Sequence, residues 1–501
     1  MRRATFLIEI LAVTALVVVT RCANYSEVFA GSQINFVDAD CFARMTRARI
    51  CFEHPGTIVR RHDFENFPIG TSPHTTAVFD YLITGTAAAL QPFTNHALEL
   101  AGAIVSPLLA IGLGIFLCWW TRRMQVRFRW GLLLLYALSP ILAHGFALGR
   151  PDHQSLALAL VAVAFCGEWV LAYKPSSNWS FLTGMTWALA IWVSPYEPLI
   201  LFVLTMGLRA RTILAPYRRI GWIAFAIIIA FALMVERRIP SAPAGEIMAG
   251  LKNWSGTIGE LGHVPWTSPV WFQWCGWLLL LVPILFWRIR KIPRWFMTVL
   301  LIATFLLTMW QARWAYFFAL LFVFIVPEIL GALRSPIVAS ITFAVALFPI
   351  AQAWDRSFSG EERARYSENK IELIELRNLA QMIDGPFIAP WWFSPALTYW
   401  SRQPAVAGSS HESISGIIDS AKFFAAEDGE VARAICARRG VKWVVSYDSE
   451  RLAQNTAAIL GTMIPPRALV YVLDRNPSDA PPFLRLSWQT GRFKSYRVNG
   501  F

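Results

Sequence analysis

Long apolar runs separated by short polar stretches fill the first 353 residues of the chain. Runs of about 18 or more apolar residues are long enough for a helix to cross a hydrocarbon core. The pattern predicts spans at 5–20, 97–119, 131–147, 155–172, 180–194, 196–208, 220–235, 270–287, 295–310, 312–331 and 336–353. That makes about eleven transmembrane helices. The pair at 180–208 is the least regular, because Pro195 and Pro198 interrupt it. The first span follows Arg2 and Arg3 with no small-x-small cleavage site, which favours a retained anchor over a cleaved signal peptide. From 354 onward the pattern changes. EERARYSENKIELIELRNLAQMI at 361–383 reads as a charged amphipathic helix. Short β-like runs follow, FIAP at 387–390, VKWVVSY at 441–447 and ALVYVL at 468–473, with helical patterns between them. The expected architecture is an α-helical polytopic membrane protein over 1–353 with a C-terminal mixed α/β domain over 354–501.

Charge gives these spans a direction. With the N-terminus cytoplasmic, the inner loops are 121–130, 172–179, 209–219, 288–294 and 332–335. They carry Arg122, Arg123, Arg127, Arg129, Lys174, Arg209, Arg211, Arg218, Arg219, Arg288, Arg290, Lys291, Arg294 and Arg334, and none contains an Asp or Glu. Positive charge in short loops resists translocation, so this one-sidedness fixes the topology. It also accounts for much of the formal charge of +13, which would otherwise suggest nucleic acid. The 23 Trp residues, many near span ends, fit an interfacial belt. The tail and the long loops 22–96 and 236–269 then lie outside. Seven cysteines show no metal-like spacing, although Cys41 and Cys51 share an outer loop and could pair there.

Asp38, Asp40, Asp152, Glu197 and Glu260 all fall on the outer side. Asp38 and Asp40 open FVDADCFARMTRAR at 36–49, followed by Arg44, Arg47 and Arg49. Carboxylates suit Mg²⁺ or Mn²⁺, and a solvated loop is the plain alternative. His74 and Asp80 mark the return of that loop to the membrane, where a turn and a helix cap would also explain them. Asp152 and its neighbours Arg150 and His153 sit in GRPDHQS at 149–155, wedged between two spans. An ionisable group at that depth is costly unless paired or metal-bound, and an N-cap is the alternative. Glu260 lies in NWSGTIGELGHVPW at 253–266, within a long loop without regular pattern. Arg313 in WQARWAYFF lies between two apolar runs, as a phosphate fork or as an interfacial anchor. Glu197 occupies the tight outer turn SPYEP, where a cap or turn role suffices.

In this order the elements resemble the catalytic subunit of oligosaccharyltransferase and related multispanning C-type (GT-C) glycosyltransferases. Asp38-Ala39-Asp40 with Arg44 is similar to the family's first acidic motif, and Asp152 to its second. Thr257-Ile258-Gly259-Glu260 matches the bacterial TIxE form, pointing to a bacterial inner membrane. Gln311-Ala312-Arg313-Trp314 resembles the arginine that contacts lipid pyrophosphate. Trp391-Trp392 resembles the paired tryptophans of the last motif. Phe393-Ser394-Pro395 stand where the family has Asp-Tyr-Gly, whose Asp helps recognise the Ser/Thr of an Asn-x-Ser/Thr acceptor. The expected thirteen spans of the family are also more than are counted here.

The resemblance implies transfer of a glycan from a polyprenyl-linked donor to a protein or glycolipid acceptor at the outer face of the bilayer. Asp38 or Asp40, Asp152 and Glu260 would gather one Mn²⁺ or Mg²⁺ that neutralises the leaving phosphate. Arg313 would hold the remaining phosphate charge, with Arg44, His74, His153, Glu197, Trp391 and Trp392 as further substrate contacts. One first-loop aspartate would orient or deprotonate the attacking group. The nearest alternative uses a polyprenyl-phosphate monosaccharide to modify a lipid or polysaccharide. A transporter or flippase of lipid-linked sugar is a different class, but transporters place polar groups near the midplane on matched halves, and here the acids sit in outer loops. An inactive relative whose tail binds a partner is a third alternative.

Overall fold

The computed structural model describes residues 2–31, 33–238, 247–283, 285, 295–333 and 335–499. The inner loop 288–294, Arg334 and positions 239–246 of the second long outer loop lie outside these residues. The chain folds into two compact units. One comprises Met1–Tyr25, Gly102–Arg237 and Gly262–Arg365, the other Ser26–Ala101, Arg238–Leu261 and Tyr366–Phe501.

The first unit is helical. Among the described residues of the chain, six helices are long and apolar enough to cross a membrane: Ala4–Arg21, Ala97–Arg123, His153–Tyr173, Pro216–Glu236, Ala312–Ala332 and Pro336–Ser357. Shorter apolar helices cover Arg129–Leu138, Glu197–Leu208 and Trp295–Trp310. The protein is thus an integral membrane protein. Prolines explain why the expected spans are shorter here. Pro140 starts a new helix, Pro140–Gly145, after Arg129–Leu138 ends. The expected span at 270–287 begins as Val270–Cys275, breaks at Gly276, and continues as a 3₁₀ turn, Trp277–Leu281.

Burial ranks the helices. Ala312–Ala332 is 83% buried over its apolar window, whereas Ala4–Arg21 and Pro216–Glu236 are each 22% buried. A hydrophobic helix so open needs another apolar solvent, which lipid provides. Close approach is achieved with small residues: a Cβ on Gly184 would come within 2.0 Å of the Gly221 carbonyl, and one on Gly221 within 2.4 Å of the Ser180 carbonyl. Inside this unit Glu168 is fully buried and takes a fork of two bonds from Arg218, 2.8 and 2.6 Å, with Arg209 at 3.9 Å. Two arginines of the expected inner loops therefore also neutralise an acid in the helix bundle.

The second unit mixes helices with a four-stranded sheet. Phe387–Ile388 pairs in parallel with Trp443–Ser446, which pairs antiparallel with Phe493–Val498, and Leu484–Thr490 forms the far edge. Ile388, Val444 and Tyr496 on the sheet pack with Phe424, Leu452, Leu469 and Leu473 from its helices. The amphipathic pattern at 361–383 forms the helix Gly360–Ala380. ALVYVL at 468–473 is not a strand: it forms the helix Leu469–Arg475, burying Leu469, Val470 and Leu473. That i, i+1, i+4 set fits a helical face better than a sheet face. Cys41 and Cys51 do not pair, and both are free and buried. They share the helix Ala39–Glu53, where ten residues span about 15 Å, beyond the reach of a disulfide.

Candidate functional site

In the first unit the short loop before His153–Tyr173 concentrates the charge. Gly149, at φ +71°, turns the chain sharply into Arg150 and Asp152. Asp152 caps the helix: its Oδ1 accepts from the Gln154 amide at 3.2 Å and lies 2.8 Å from His153 Nδ1. Its Oδ2 lies 3.5 Å from Arg150. Burial alone would raise the Asp152 pKa. The His153 charge and hydrogen bond, Arg150 and the Gln154 amide outweigh it, holding the carboxyl ionised and well below its usual range. Capping and charge storage therefore coexist in one residue.

Arg150 is itself buried. Its guanidinium donates to the Tyr316 hydroxyl at 2.9 Å and meets His144 Nδ1 at 2.6 Å, while the His144 ring also reaches Tyr316 at 2.8 Å. His144 and Tyr316 were not singled out from the sequence, although an imidazole inside an apolar run was a usable signal. Ser106 donates to the Arg150 carbonyl at 2.5 Å, and its hydroxyl lies 3.0 Å from that of Ser155, which donates to the Asp152 carbonyl at 2.8 Å, fixing the loop backbone.

The same unit brings Glu197 and Arg313 together. Arg313 Nε lies 2.6 Å from Glu197 Oε1, and Ser194 donates to Oε2 at 2.9 Å. Glu197 is 4% exposed in its side chain and Arg313 is 24% exposed, so the guanidinium is only partly covered. Tyr196 stacks beneath it, 5.8 Å from the ring centroid. Arg313 sits on the 3₁₀ turn Ala312–Trp314, pinned by a bond from the Ala312 amide to the Gly262 carbonyl at 2.9 Å.

In the second unit Asp38 and Asp40 open the helix Ala39–Glu53. Asp38 is its N-cap, accepting from the Cys41 amide at 2.9 Å, and Asp40 occupies the exposed first turn. Both face the positive end of the helix dipole. Arg44, from the next turn, is buried: it pairs with Asp80 at 2.9 Å, and Arg47 approaches the other oxygen at 3.7 Å. Aromatic contacts tie this helix to Ser394–Ser401. Phe42 packs on Trp400 with centroids 4.9 Å apart, and Arg49 donates to the Tyr399 carbonyl at 2.5 Å.

Glu260 lies half-buried on the 3₁₀ turn Gly259–Leu261. Just before it, buried Trp254 meets Trp391 edge-on at 5.6 Å, and Trp391 donates to Asn455 at 3.0 Å. The helix leading into the TIGE stretch thus meets the first of the paired tryptophans through one aromatic contact. Trp392 stands 6.0 Å from Trp391 and turns the other way, towards Phe393 and Tyr447. Phe393 is 8% exposed and packs on Tyr447 at 5.0 Å and Phe493 at 5.2 Å. Asp38, Asp40 and Glu260 form no trio of ligand atoms within 4.8 Å among the described residues of this unit. His74 instead joins His411 and Glu412, two residues the motif reading did not include.

No protein-family model and no curated protein sequence matches the chain. Solved structures do. The oligosaccharyltransferase AglB of Archaeoglobus fulgidus, in complex with an inhibitory peptide and a dolichol-phosphate, superposes with a TM-score of 0.67 at 14% identity, over 92% of this chain and 71% of its own. The A. fulgidus oligosaccharyltransferase tethered to an acceptor peptide containing an NVT sequon gives 0.66 at 15% identity, over 91% and 70%. ArnT from Cupriavidus metallidurans, bound to undecaprenyl phosphate, gives 0.54 at 14% identity, over 98% and 97%. The chain has the oligosaccharyltransferase-like GT-C fold.

Proposed function

We propose that the chain transfers a glycan from a polyprenyl phosphate or pyrophosphate carrier to an acceptor at the outer face of a bacterial inner membrane. The observation that carries this reading is that two different proteins of the same fold, AglB and ArnT, are each solved with a polyprenol phosphate bound. About eleven spans, a cytoplasmic N-terminus and an extracytoplasmic C-terminal domain belong to the same proposal.

Arg313 is the phosphate-holding group. Its side chain is partly exposed, it is oriented by Glu197 and Tyr196, and a planar fork suits phosphate oxygens. Asp38 or Asp40 takes the proton of the attacking hydroxyl or amide as the new glycosidic bond forms and the carrier phosphate leaves with the bonding electrons. The carboxylates of Asp38, Asp40, Asp152 and Glu260 offer oxygen donors only, the chemistry that Mn²⁺ or Mg²⁺ selects. A cation held by them would supply Lewis-acid stabilisation to the leaving phosphate. Asp152, kept ionised by its neighbours, is ready for that role. His153 and Arg150 orient it. Trp391 and Trp392 offer flat faces for a sugar or acceptor, and Arg44, His74 and Glu197 are further substrate contacts in this reading.

A second reading is favoured by Phe393. Where the family has an acceptor-reading Asp, this chain has a packed aromatic ring. An acceptor other than an Asn sequon, such as a lipid or polysaccharide receiving a single sugar, fits that change. Transfer of labelled lipid-linked sugar should be measured in membranes with EDTA, Mn²⁺ or Mg²⁺, together with glycoprotein and glycolipid profiles after gene deletion. Full transfer by an Asp152→Ala, Glu260→Ala double variant would sink the reading. Loss of a glycolipid with unchanged glycoproteins would select the second one.

A further inference from the structure

Within the second unit, a loop preceding the helix Ala77–Leu90 and the 3₁₀ turn His411–Ser413 bring two imidazoles and a carboxylate to one point. The ligand atoms of His74, His411 and Glu412 all lie within 4.8 Å of one another. Glu412 Oε1 accepts from the His74 amide at 2.5 Å and from His74 Nδ1 at 2.9 Å. Its Oε2 lies 3.6 Å from His411 Nδ1, and this oxygen is buried with no hydrogen-bond partner. The two imidazole rings are 4.6 Å apart at 34°.

A bare His–Glu pair explains only half of this arrangement. It satisfies one carboxylate oxygen and leaves the other dry, at a cost that buried acceptors rarely bear. A divalent cation removes that cost, because it takes a lone pair from each ring and from the stranded oxygen. Around tetrahedral zinc, bonds of about 2.0–2.2 Å bring ligand atoms to about 3.4 Å, which the observed spread reaches by modest side-chain rotation.

We propose that His74, His411 and Glu412 bind one transition-metal ion of the zinc type. Two nitrogens and one oxygen differ in kind from the all-oxygen set proposed for transfer, and the assignment does not rest on that reaction. Imidazole nitrogen selects zinc, cobalt, nickel or copper over magnesium. Side-chain exposures of 39% for His74, 26% for His411 and 15% for Glu412 leave the ion a route in from solvent and an open fourth position. The surroundings hold the ligands in place. Arg238 donates to the carbonyls of Pro73 and Thr75, on either side of His74, the second at 2.7 Å. Ser410, next to His411, donates to buried Glu65 at 2.8 Å. Such outer contacts orient metal ligands and tune their affinity. The bound ion clips the first long outer loop to the turn at 411–413.

The test uses the full-length protein in detergent, stripped with EDTA and titrated with Zn²⁺ and, separately, with Co²⁺. Expected are one high-affinity Zn²⁺ per chain, a higher melting temperature on its addition, and the intense visible absorption of four-coordinate Co²⁺. His74→Asn, His411→Asn and Glu412→Gln should each lower the Zn²⁺ affinity at least tenfold and abolish the zinc-dependent rise in melting temperature. An Asp152→Asn, Glu260→Gln variant should keep both. Melting in EDTA shows whether each variant folds, and the cobalt spectrum of the unsubstituted protein needs no variant at all. Octahedral, weakly absorbing cobalt, or equal zinc binding by the His411→Asn and unsubstituted proteins, overturns the proposal.

Discussion

Replacing Arg313 by Met separates two roles that a simple loss of activity would merge. The pair it forms with Glu197 has one partner sealed from water at 4% exposure and 2.6 Å between charged atoms. Without Arg313, Glu197 keeps the Ser194 hydroxyl as a donor, but its buried charge loses this cation. Removing one member of a buried pair costs about 3–5 kcal/mol, and the partial exposure of Arg313 places this case at about 3. Adding Glu197→Gln removes the stranded charge, so the double variant should recover most of that loss. Transfer behaves differently. If Arg313 grips the carrier phosphate as charge develops, its loss costs about 10²–10³-fold in kcat, and the second substitution restores none of it. The assay is thermal unfolding in detergent beside transfer of labelled lipid-linked sugar for both single variants and the double. A stable double variant with near-normal transfer refutes the phosphate role and leaves Arg313 a purely structural partner.

Asp80→Asn removes the carboxylate charge shared by buried Arg44 and Arg47 and should lower stability by about 3–5 kcal/mol, read from denaturant unfolding of the full-length protein. Asp38→Ser keeps a side-chain acceptor at the N-cap while Asp38→Ala removes it, so only the alanine variant should lose about 1 kcal/mol. Both should lose transfer if Asp38 is the proton acceptor or a cation ligand, and full activity of the serine variant assigns those roles to Asp40. Burial first, and then Arg47, push the His62 imidazole down to about 3. The unfolded chain takes a proton near pH 6.5 that the folded chain refuses, so stability is intact above that pH and falls towards pH 3, by up to about 1.4 kcal/mol per unit. His62→Gln should flatten the melting temperature between pH 7 and pH 4.5, and an unchanged slope counts against this assignment.

Hydrophobic period made most of the first unit legible, because a helix in lipid must satisfy its own backbone and leaves a long apolar run behind. The interruptions were harder to place. Pro140 and Gly276 divide what composition presents as continuous spans. In the second unit the hairpin of Leu484–Thr490 and Phe493–Val498 went unread, since its edge strand is mostly exposed and carries Arg485, Ser487 and Gln489. Charge at a membrane lip did identify Asp152, Glu197 and Arg313, each of which has an ionic partner in the structure. Pairing across distant loops was not legible. Nothing in one-dimensional spacing connects His74 with Glu412, which are 338 positions apart. The Trp254 contact with Trp391 is of the same kind, as both residues read locally as ordinary aromatics.

The ring at position 393 also limits what engineering can do. An aspartate placed there would push an ionised group among the rings of Trp392, Tyr447 and Phe493, where Arg451 is already committed to the Tyr447 hydroxyl. A Phe393→Asp change therefore trades a packed ring for a desolvated charge. The neighbouring rings would have to shrink or turn polar with it, so the change is a concerted repacking rather than a point substitution.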